Sequence, residues 1–359
     1  MAITKIPAAG FTGNNFRNII INGDMSIAQR ATTATGLGNG DNGYHTCDRW
    51  FFQETGSPTG EFTMSQDTDV PTGQGFAKSL KMDCTTAQGS LGSGDGFNIQ
   101  QRFEGQNLQY LKKGTSSAES FTLSFWVKSN KTGTYVATFL DQDNTRQIAK
   151  SYTIDTANTW EKKTLTYAGD TTGTFDNDNG GSLYLIFYLS AGTDYTSGTL
   201  STSWEAGTNA NRAVGQVNLA DNTANEWFIT GVQLEAGTTA SDFEFLPYDV
   251  NLQRCERYFR IHNTANGTCS STTQMQFAIV FDPEMRASPS ISGSGSILLT
   301  DFAYANYGFS SGVTYGINEG TNKGGRYNAG NLSGLTTGRD AMMLPTGTNS
   351  SPLEFDAEL

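Results

Sequence analysis

The stretch FTLSFWV, residues Phe121–Val127, alternates in the manner of a β-strand that covers a core with one face. Its large apolar side chains at alternate positions fall on one side of the strand: Phe121, Leu123, Phe125 and Val127. The intervening side chains, among them Trp126, fall on the other side, since successive residues of a strand point to opposite faces. The pattern predicts a sheet with one buried face and one more polar face.

Other short strands are predicted on both sides of this one, and no stretch of about ten residues among them holds a helical period. The clearest lie at Asn18–Ile21, Thr134–Leu140, Trp160–Tyr167, Ser182–Ser190 and Trp227–Leu234. The stretch at Ser182–Ser190, SLYLIFYLS, is apolar on both faces, which predicts a central strand covered on both sides. Clusters of Gly, Asn, Asp, Ser and Thr separate the strands and indicate loops. About eight to ten strands with long loops are typical of an all-β, jelly-roll β-sandwich.

The pattern changes after Pro247. A short helix is predicted over Asp249–Arg260, and strands follow at Thr273–Phe281, Ser296–Tyr304 and Gly312–Ile317. At the other end, residues 1–17 are rich in Gly, Pro, Ala and Asn and show no period. The predicted organisation is therefore an N-terminal attachment arm at 1–17, a jelly-roll domain at 18–247, and a short helix with a small C-terminal β domain at 248–359.

Composition narrows the class of protein. The 359 residues include 22 Phe, 14 Tyr and 5 Trp, too many aromatic residues for an unfolded chain. The formal net charge of -12 argues against nucleic acid and against anionic membrane surfaces, since both would repel the chain. No stretch approaches the ~18 apolar residues of a membrane span, and the first sixteen residues lack the apolar core of a signal peptide. We therefore expect a protein made in a cytoplasm, without nucleic-acid binding or membrane insertion.

Sequence patterns for catalysis are weak. Gly308–Gly312 matches the letters of the G-x-S-x-G nucleophile elbow, but nothing helical follows Ser310, so a turn is predicted. The 35 acidic residues will place some pair at glycosidase spacing by accident, so the sequence does not exclude a hydrolase. The four cysteines are widely spaced without a CxxC pair, which predicts buried free thiols rather than a zinc site or a disulfide framework: Cys47, Cys84, Cys255 and Cys269.

A metal site and a ligand site can be placed on two predicted loops. Asp176 and Asp178 resemble the start of a calcium loop but lack its late Glu, so a polar turn is the alternative to a cation site. The long loop Ala191–Asn211 and the residue after it carry aromatic, charged and amide side chains that suit a neutral sugar. The ligand-binding residues predicted there are Trp204, Tyr195, Arg212 and Asp194. Tyr184 and Tyr188 share one face of their strand and are further aromatic candidates. The alternative is that these rings pack under loops or against a second sheet.

Three stretches together resemble bacteriophage tail-fibre and adhesin proteins. Asn18–Arg30 resembles the opening strand of such proteins, and Phe121–Val127 with Asn158–Thr164 resembles the middle of a carbohydrate-binding-module jelly roll. The most specific stretch is Ile229–Gly237, followed by Cys255–Phe259 and Pro283–Arg286. It is similar to the segment that ends the jelly roll in such phage proteins and leads into a short helix and a small β domain. The resemblance covers about residues 18–290.

This resemblance implies a jelly roll, a non-enzymatic virion protein and a homotrimer. The expected protein is a tail fibre or adhesin, assembled in the host cytoplasm, that binds a host-surface glycan or protein receptor. Residues 1–17 would attach it to other tail or capsid proteins, and trimer contacts would lie mostly in 250–359. Related modules often hold a structural calcium through an Asp of the last strand, whereas the matching stretch here, Ile229–Gly231, contains no acid.

Two alternatives remain open. A capsid-attached fibre or decoration protein of the same fold would use the same surfaces to bind coat protein. A polysaccharide-degrading tailspike usually contains a longer repeating β-helix, and no such period appears in this sequence.

Overall fold

The computed structural model describes residues 17–293, 297–300, 306–308, 314–345 and 353–359. The chain forms two compact units, Met1–Tyr248 and Asp249–Leu359. Residues 1–16 of the predicted arm, and Ser310 of the G-x-S-x-G pattern, lie outside the described residues. No helix in the described part of the chain is long and apolar enough to cross a membrane.

The first unit is built from two antiparallel sheets. Its described strands are β1 (Thr33–Leu37), β2 (Gly43–Tyr44), β3 (Phe51–Thr55), β4 (Glu61–Asp67), β5 (Ser79–Thr86), β6 (Gly96–Glu104), β7 (Phe121–Ser129), β8 (Gly133–Asp141), β9 (Arg146–Ile154), β10 (Glu161–Tyr167), β11 (Gly181–Ala191), β12 (Glu205–Ala206) and β13 (Glu226–Ala236). Sheet A has the order β1-β4-β5-β13-β7-β10, and sheet B has the order β12-β9-β8-β11-β6-β3-β2. A short helix, α1 (Thr193–Thr196), follows β11. The predicted jelly-roll β-sandwich is confirmed.

The main core lies between these sheets. The apolar side chains predicted to share one face of β7 are all buried there: Phe121, Leu123, Phe125 and Val127. They pack with Trp50, which precedes β3, and with large side chains of the other strands, among them Phe97, Phe187 and Trp227. The alternation of β7 therefore predicted the buried face correctly.

Strand β11 is central in sheet B and is covered on both faces, as its sequence predicts. Leu183, Leu185, Phe187 and Leu189 point into the main core. On the other face of sheet B, a smaller apolar cluster forms under the segment 192–217: Val136, Leu140, Ala149, Ile186, Tyr188 and Ala213. This segment thus covers part of the outer face of sheet B.

The predicted strand at Asn18–Ile21 is wrong, because this segment bends at Ile20 and Ile21 and joins no sheet. The side chain of Asn18 takes over part of the pairing. Its Oδ1 accepts hydrogen bonds from the N–H groups of Ile20 and Leu234, both at 3.0 Å, and its Nδ2 donates to the Val232 carbonyl at 3.2 Å.

The second unit begins with a helix and is otherwise β-structure. Its described elements are α2 (Tyr248–Glu256), β14 (Phe259–His262), β15 (Ala265–Cys269), β16 (Met275–Val280), β17 (Ser290–Gly293), β18 (Ile297–Thr300), β19 (Asn306–Gly308), β20 (Thr314–Thr321), β21 (Gly324–Gly330), β22 (Asp340–Pro345) and β23 (Leu353–Asp356). Sheet C has the order β14-β23-β17, and sheet D has the order β19-β18-β22-β15-β16-β21-β20. The predicted short helix and small β domain are confirmed, although the helix ends before Arg260, because Phe259–His262 pairs with β23. All four cysteines of the chain are buried and free.

Candidate functional site

A groove lies on the outer face of sheet B, beside the segment 192–217. Side chains of the paired strands β6 and β11 alternate between the core and the outer face. In β6, Phe97, Ile99 and Phe103 enter the core, so Asn98, Gln100 and Arg102 face outward. Three cross-strand pairs cross the groove, with Arg102 opposite Tyr184, Gln100 opposite Ile186, and Asn98 opposite Tyr188.

The groove has a volume of about 200 Å³. It is smaller than the 300–1,000 Å³ typical of sites that enclose a whole drug-sized ligand. The side chains that line it are Gln53, Thr55, Asn98, Gln100, Arg102, Leu140, Gln142, Tyr184, Ile186, Tyr188, Tyr195 and Arg212. A space of this size suits one ring of a longer ligand better than a complete ligand.

Side-chain amides on the floor of the groove form a connected network. The Nε2 of Gln100 donates to Asn98 Oδ1 at 2.8 Å and also to Gln53 Oε1. The Oε1 of Gln100 accepts from Arg102 Nε at 3.2 Å. Because Gln100 and Asn98 are only 2% and 3% exposed, these amides are held in place before any ligand arrives.

Aromatic rings hold the charged group of Arg102. Its guanidinium carbon lies 3.8 Å from the centre of the Phe51 ring and 4.9 Å from that of Tyr184. Cation–π contacts of this kind favour a fixed position of the guanidinium plane. The half-buried Tyr184 ring also packs against the apolar cluster under the segment 192–217, and it lines the groove.

The wall of the groove is the segment 192–217, which hydrogen bonds attach to itself and to sheet B. Ala213 N–H donates to the Tyr195 carbonyl at 2.9 Å, and Thr138 Oγ1 donates to the Arg212 carbonyl at 2.7 Å. The Tyr195 ring lies 6.4 Å from the Tyr188 ring. Burial raises the pKa of Tyr188, while the nearby charge of Arg212 acts in the opposite direction. Tyr188 is thus a neutral hydrogen-bonding group at neutral pH.

The structure brings together two of the predicted ligand residues. Tyr195 and Arg212 line the groove. Asp194 is exposed and is not among the residues that line it; its N–H group donates to the Ser93 carbonyl at 2.9 Å.

Trp204 does not line the groove with Tyr195 and Arg212. Its ring packs at the edge of the main core, 6.4 Å from the Phe121 ring, and its Nε1 donates to the Ala168 carbonyl at 2.7 Å. The Lys113 ammonium lies 5.6 Å from the centre of the ring. This placement follows the alternative interpretation, in which the loop aromatic residues pack under loops.

The acidic loop forms a polar turn. The carboxylate of Asp178 accepts a hydrogen bond from Gly180 N–H at 2.8 Å, and the Asp176 N–H donates to Asp143 Oδ2 at 2.9 Å. In the part of the chain that the structure describes, no group of three or more His, Cys, Asp and Glu side chains could hold a metal ion. The cation site expected at Asp176 and Asp178 stays a prediction.

Sequence reasoning missed the polar floor of the groove. Asn98, Gln100 and Arg102 occur at every second position of GFNIQQRFE, opposite Phe97, Ile99 and Phe103. That alternation was a usable signal for an outward polar row. The contribution of Gln53 had no such signal, because it depends on β3 lying beside β6.

Comparisons with known proteins find distant structural similarities only. No protein-family model and no curated protein matches this chain. Similar solved structures include the enzymatically active domain of tailspike protein 4 from bacteriophage CBA120, with 17% identity and a TM-score of 0.35 over 62% of this chain and 22% of that chain. A putative sugar-binding protein from Bacteroides thetaiotaomicron has 12% identity and a TM-score of 0.34, with 61% of this chain and 99% of that chain covered. A family 11 carbohydrate-binding module from Clostridium thermocellum, in complex with a mixed-linked tetrasaccharide, has 9% identity and a TM-score of 0.30, with 58% and 99% covered.

Proposed function

We propose that this chain is a non-enzymatic glycan-binding protein and that the groove on sheet B holds one ring of the glycan. The observation that carries the proposal is the combination of tyrosine rings with a fixed amide network in the same groove. An aromatic ring accepts the C–H face of a sugar, and amide groups can donate to and accept from its hydroxyl groups. No Asp or Glu occurs among the described residues that line the groove, so the acid pair of glycoside hydrolysis is not located there.

The biological setting we propose is a phage virion. The support for it is the resemblance of Asn18–Arg30, and of Ile229–Gly237 with the residues that follow, to tail-fibre and adhesin proteins. In this proposal the protein is a homotrimeric tail fibre or adhesin, residues 1–17 attach it to tail or capsid proteins, and the groove binds a host-surface glycan.

The proposal is tested with the Tyr184→Ala and Tyr195→Ala variants. Binding of the purified full-length chain to an array of host-surface glycans identifies a ligand, and calorimetry with that ligand measures its affinity. We expect each variant to lose roughly 5- to 10-fold in affinity, the equivalent of about 1 kcal/mol for one stacked ring. Tyr110→Ala is the matched control, since Tyr110 is 44% exposed in the same unit and does not line the groove.

Two outcomes would count against the proposal. Full glycan binding by both groove variants would place the binding surface elsewhere. Failure of the native chain to bind any host glycan, together with normal incorporation into virions, would favour the capsid-decoration alternative.

A further inference from the structure

The groove has a charge opposite to that of the whole chain. The sequence has 35 acidic and 23 basic residues, a net charge of -12. The described residues that line the groove nevertheless include two arginines, Arg102 and Arg212, and no acid. A neutral sugar needs no such reversal of charge, because amides and tyrosines alone can bind its hydroxyl groups.

The guanidinium group of Arg212 is bonded to the protein through its Nε edge. Its Nε donates to Gln147 Oε1 at 3.0 Å, while its terminal nitrogens have no hydrogen-bond or ion-pair partner in the described part of the chain. Gln147 is fully buried and is itself held by hydrogen bonds to Ser201, Glu205 and Thr208. The guanidinium is therefore fixed from behind, and its outer pair of N–H groups remains available for a ligand with two oxygen atoms side by side.

Arg102 adds a second positive charge on the floor of the same groove. It is fixed by the Phe51 and Tyr184 rings and by its hydrogen bond to Gln100. Both arginines line a space of about 200 Å³, so their fields act on the same sugar unit. Behind Arg212, the Gln147 side chain that accepts from its Nε also donates to Glu205 Oε1 at 3.1 Å, and Glu205 does not line the groove.

We propose that the groove selects an anionic saccharide, a sugar unit that carries a carboxylate or phosphate group, and that Arg212 binds this group through its two terminal nitrogens. This inference rests on the proposed glycan-binding function and names the chemical class of its ligand. It replaces the neutral sugar expected from the sequence. Planar guanidinium groups match the oxygen pairs of carboxylates and phosphates, and such charge-assisted hydrogen bonds are stronger than neutral ones.

The test uses pairs of oligosaccharides that differ only in charge. Each pair has one backbone, with a uronic acid in one member and its methyl ester in the other, or with a sugar phosphate in one member and the free hydroxyl in the other. We expect the full-length chain to bind the acidic member at least 10-fold more tightly, with an affinity that falls as NaCl rises. The carboxylate and phosphate pairs distinguish the two sources of charge.

Three variants test whether Arg212 recognises the negative charge of the ligand. Arg212→Gln should lower affinity for the acidic member roughly 10- to 100-fold, much more than it lowers affinity for the neutral member. Arg212→Lys should recover only part of the loss, since a lysine keeps the charge without the paired donors. Lys162→Gln removes the same charge from the exposed Lys162 of sheet A, which does not line the groove, and should leave affinity unchanged.

The outcomes separate this inference from the proposed function. If acidic and neutral members bind equally and Tyr184→Ala still weakens binding, the ligand is not selected for its negative charge. That result would overturn the anionic class but not the proposed glycan binding. Binding of no member of any pair would overturn both. Equal losses in Arg212→Gln and Lys162→Gln would show that long-range charge, and not Arg212, is responsible, and would also overturn the assignment.

Discussion

The ammonium group of Lys113 lies inside the first unit, surrounded by oxygen atoms. Its Nζ is 2.6 Å from Asp141 Oδ2 and 3.3 Å from Asp170 Oδ2, and it donates to the carbonyls of Thr172 and Gly173, both at 2.8 Å. Lys113→Met would leave buried carboxylates without their counter-charge, so we expect it to lower the free energy of unfolding by about 3–5 kcal/mol.

A neighbouring lysine provides the control for Lys113. Lys112 is exposed and pairs with Glu119 at 2.6 Å, so Lys112→Met should cost less than about 1 kcal/mol. Denaturant unfolding of both variants measures the difference. Similar, small losses in the two variants would contradict the buried-charge argument.

Asp170 makes the stability of the first unit depend on pH. Burial alone would raise its pKa, but hydrogen bonds from Arg146 and the Thr172 N–H group, with the charge of Lys113, hold the pKa below its ordinary value of 3.8. A lowered folded-state pKa contributes stability above the unfolded pKa, and this stability is lost as the pH falls through the folded pKa. We therefore expect unfolding free energy to decline below about pH 4. The decline should be shallower in Asp170→Asn, and an unchanged slope in urea titrations at successive pH values would argue otherwise.

Trp204 should matter for stability and not for the groove. Trp204→Ala removes a half-buried ring at the edge of the core and its hydrogen bond to Ala168, so we expect a loss of about 2–3 kcal/mol. Trp126→Ala is the comparison: its half-buried ring lies on the outer face of sheet A, and its N–H group has no hydrogen bond in the described residues. Trp126→Ala should lower the free energy of unfolding by less than half as much as Trp204→Ala. A glycan-binding defect in Trp204→Ala at native stability would restore Trp204 as a ligand residue.

The candidate site was only partly predictable at the level of single residues. Tyr195 and Arg212 could be chosen because a long loop with aromatic and charged side chains is a usual place for recognition. The same argument selected Trp204 and Asp194, because composition does not tell which side chains of a loop turn inward. Gln53 and Gln100 act together only through the pairing of β3 with β6, and a single sequence does not specify that pairing.

At the scale of elements, Gly231 of β13 leaves room for an aromatic ring because it has no side chain. It lies at an irregular pairing between β13 and β7 and has a φ of +62°. A Cβ atom there would come within 2.5 Å of the Phe76 ring, which packs against Phe243 with ring centres 5.1 Å apart. Gly231→Ala should therefore displace Phe76 in addition to straining the backbone.

Gly36 distinguishes the cost of backbone strain from the cost of displacing Phe76. It has a similar φ of +68° in β1, and a Cβ atom there would meet nothing within 4 Å. We expect Gly36→Ala to cost about 1 kcal/mol from backbone strain alone, and Gly231→Ala to cost roughly 1–3 kcal/mol more. Melting curves of the two variants check this, and equal losses would mean that Phe76 moves aside at no cost.

The strands were largely predictable, and the exceptions have physical causes. Side-chain alternation identified β7, and an apolar run on both faces identified β11 as a covered central strand, because burial fixes which faces must be apolar. Asn18–Ile21 was misassigned because an apolar run does not show that the Asn18 side chain would replace sheet pairing. The helix at 248 was extended too far, since Phe259 and the residues after it suit a strand as well as a helix.

At the scale of the whole molecule, the second unit has a feature that suits assembly. Val280, at the end of β16, is 77% exposed, although it is a large apolar residue on a sheet. Exposed apolar side chains and sheet edges favour association with further chains. We therefore choose Val280 as the position at which to test the trimer proposed through residues 250–359. Light scattering of the full chain at micromolar concentration should give three times the monomer mass of 38.7 kDa, and a stable monomer would contradict it.

A trimer would make weak binding by single grooves strong at a surface carrying many glycans. Three linked sites raise the apparent affinity by ~10²–10⁴ through effective concentration, without any new contact. The proposed trimer contact includes Val280, so we expect Val280→Lys, which would bury a charge there, to shift the chain towards monomer. The variant should keep its calorimetric affinity for a soluble oligosaccharide, yet dissociate at least 10-fold faster from a surface coated with that glycan. Thr272→Lys adds the same charge at another exposed position of the second unit and should change neither quantity. Fast dissociation of the native chain from the glycan-coated surface would show that its grooves do not bind the surface simultaneously.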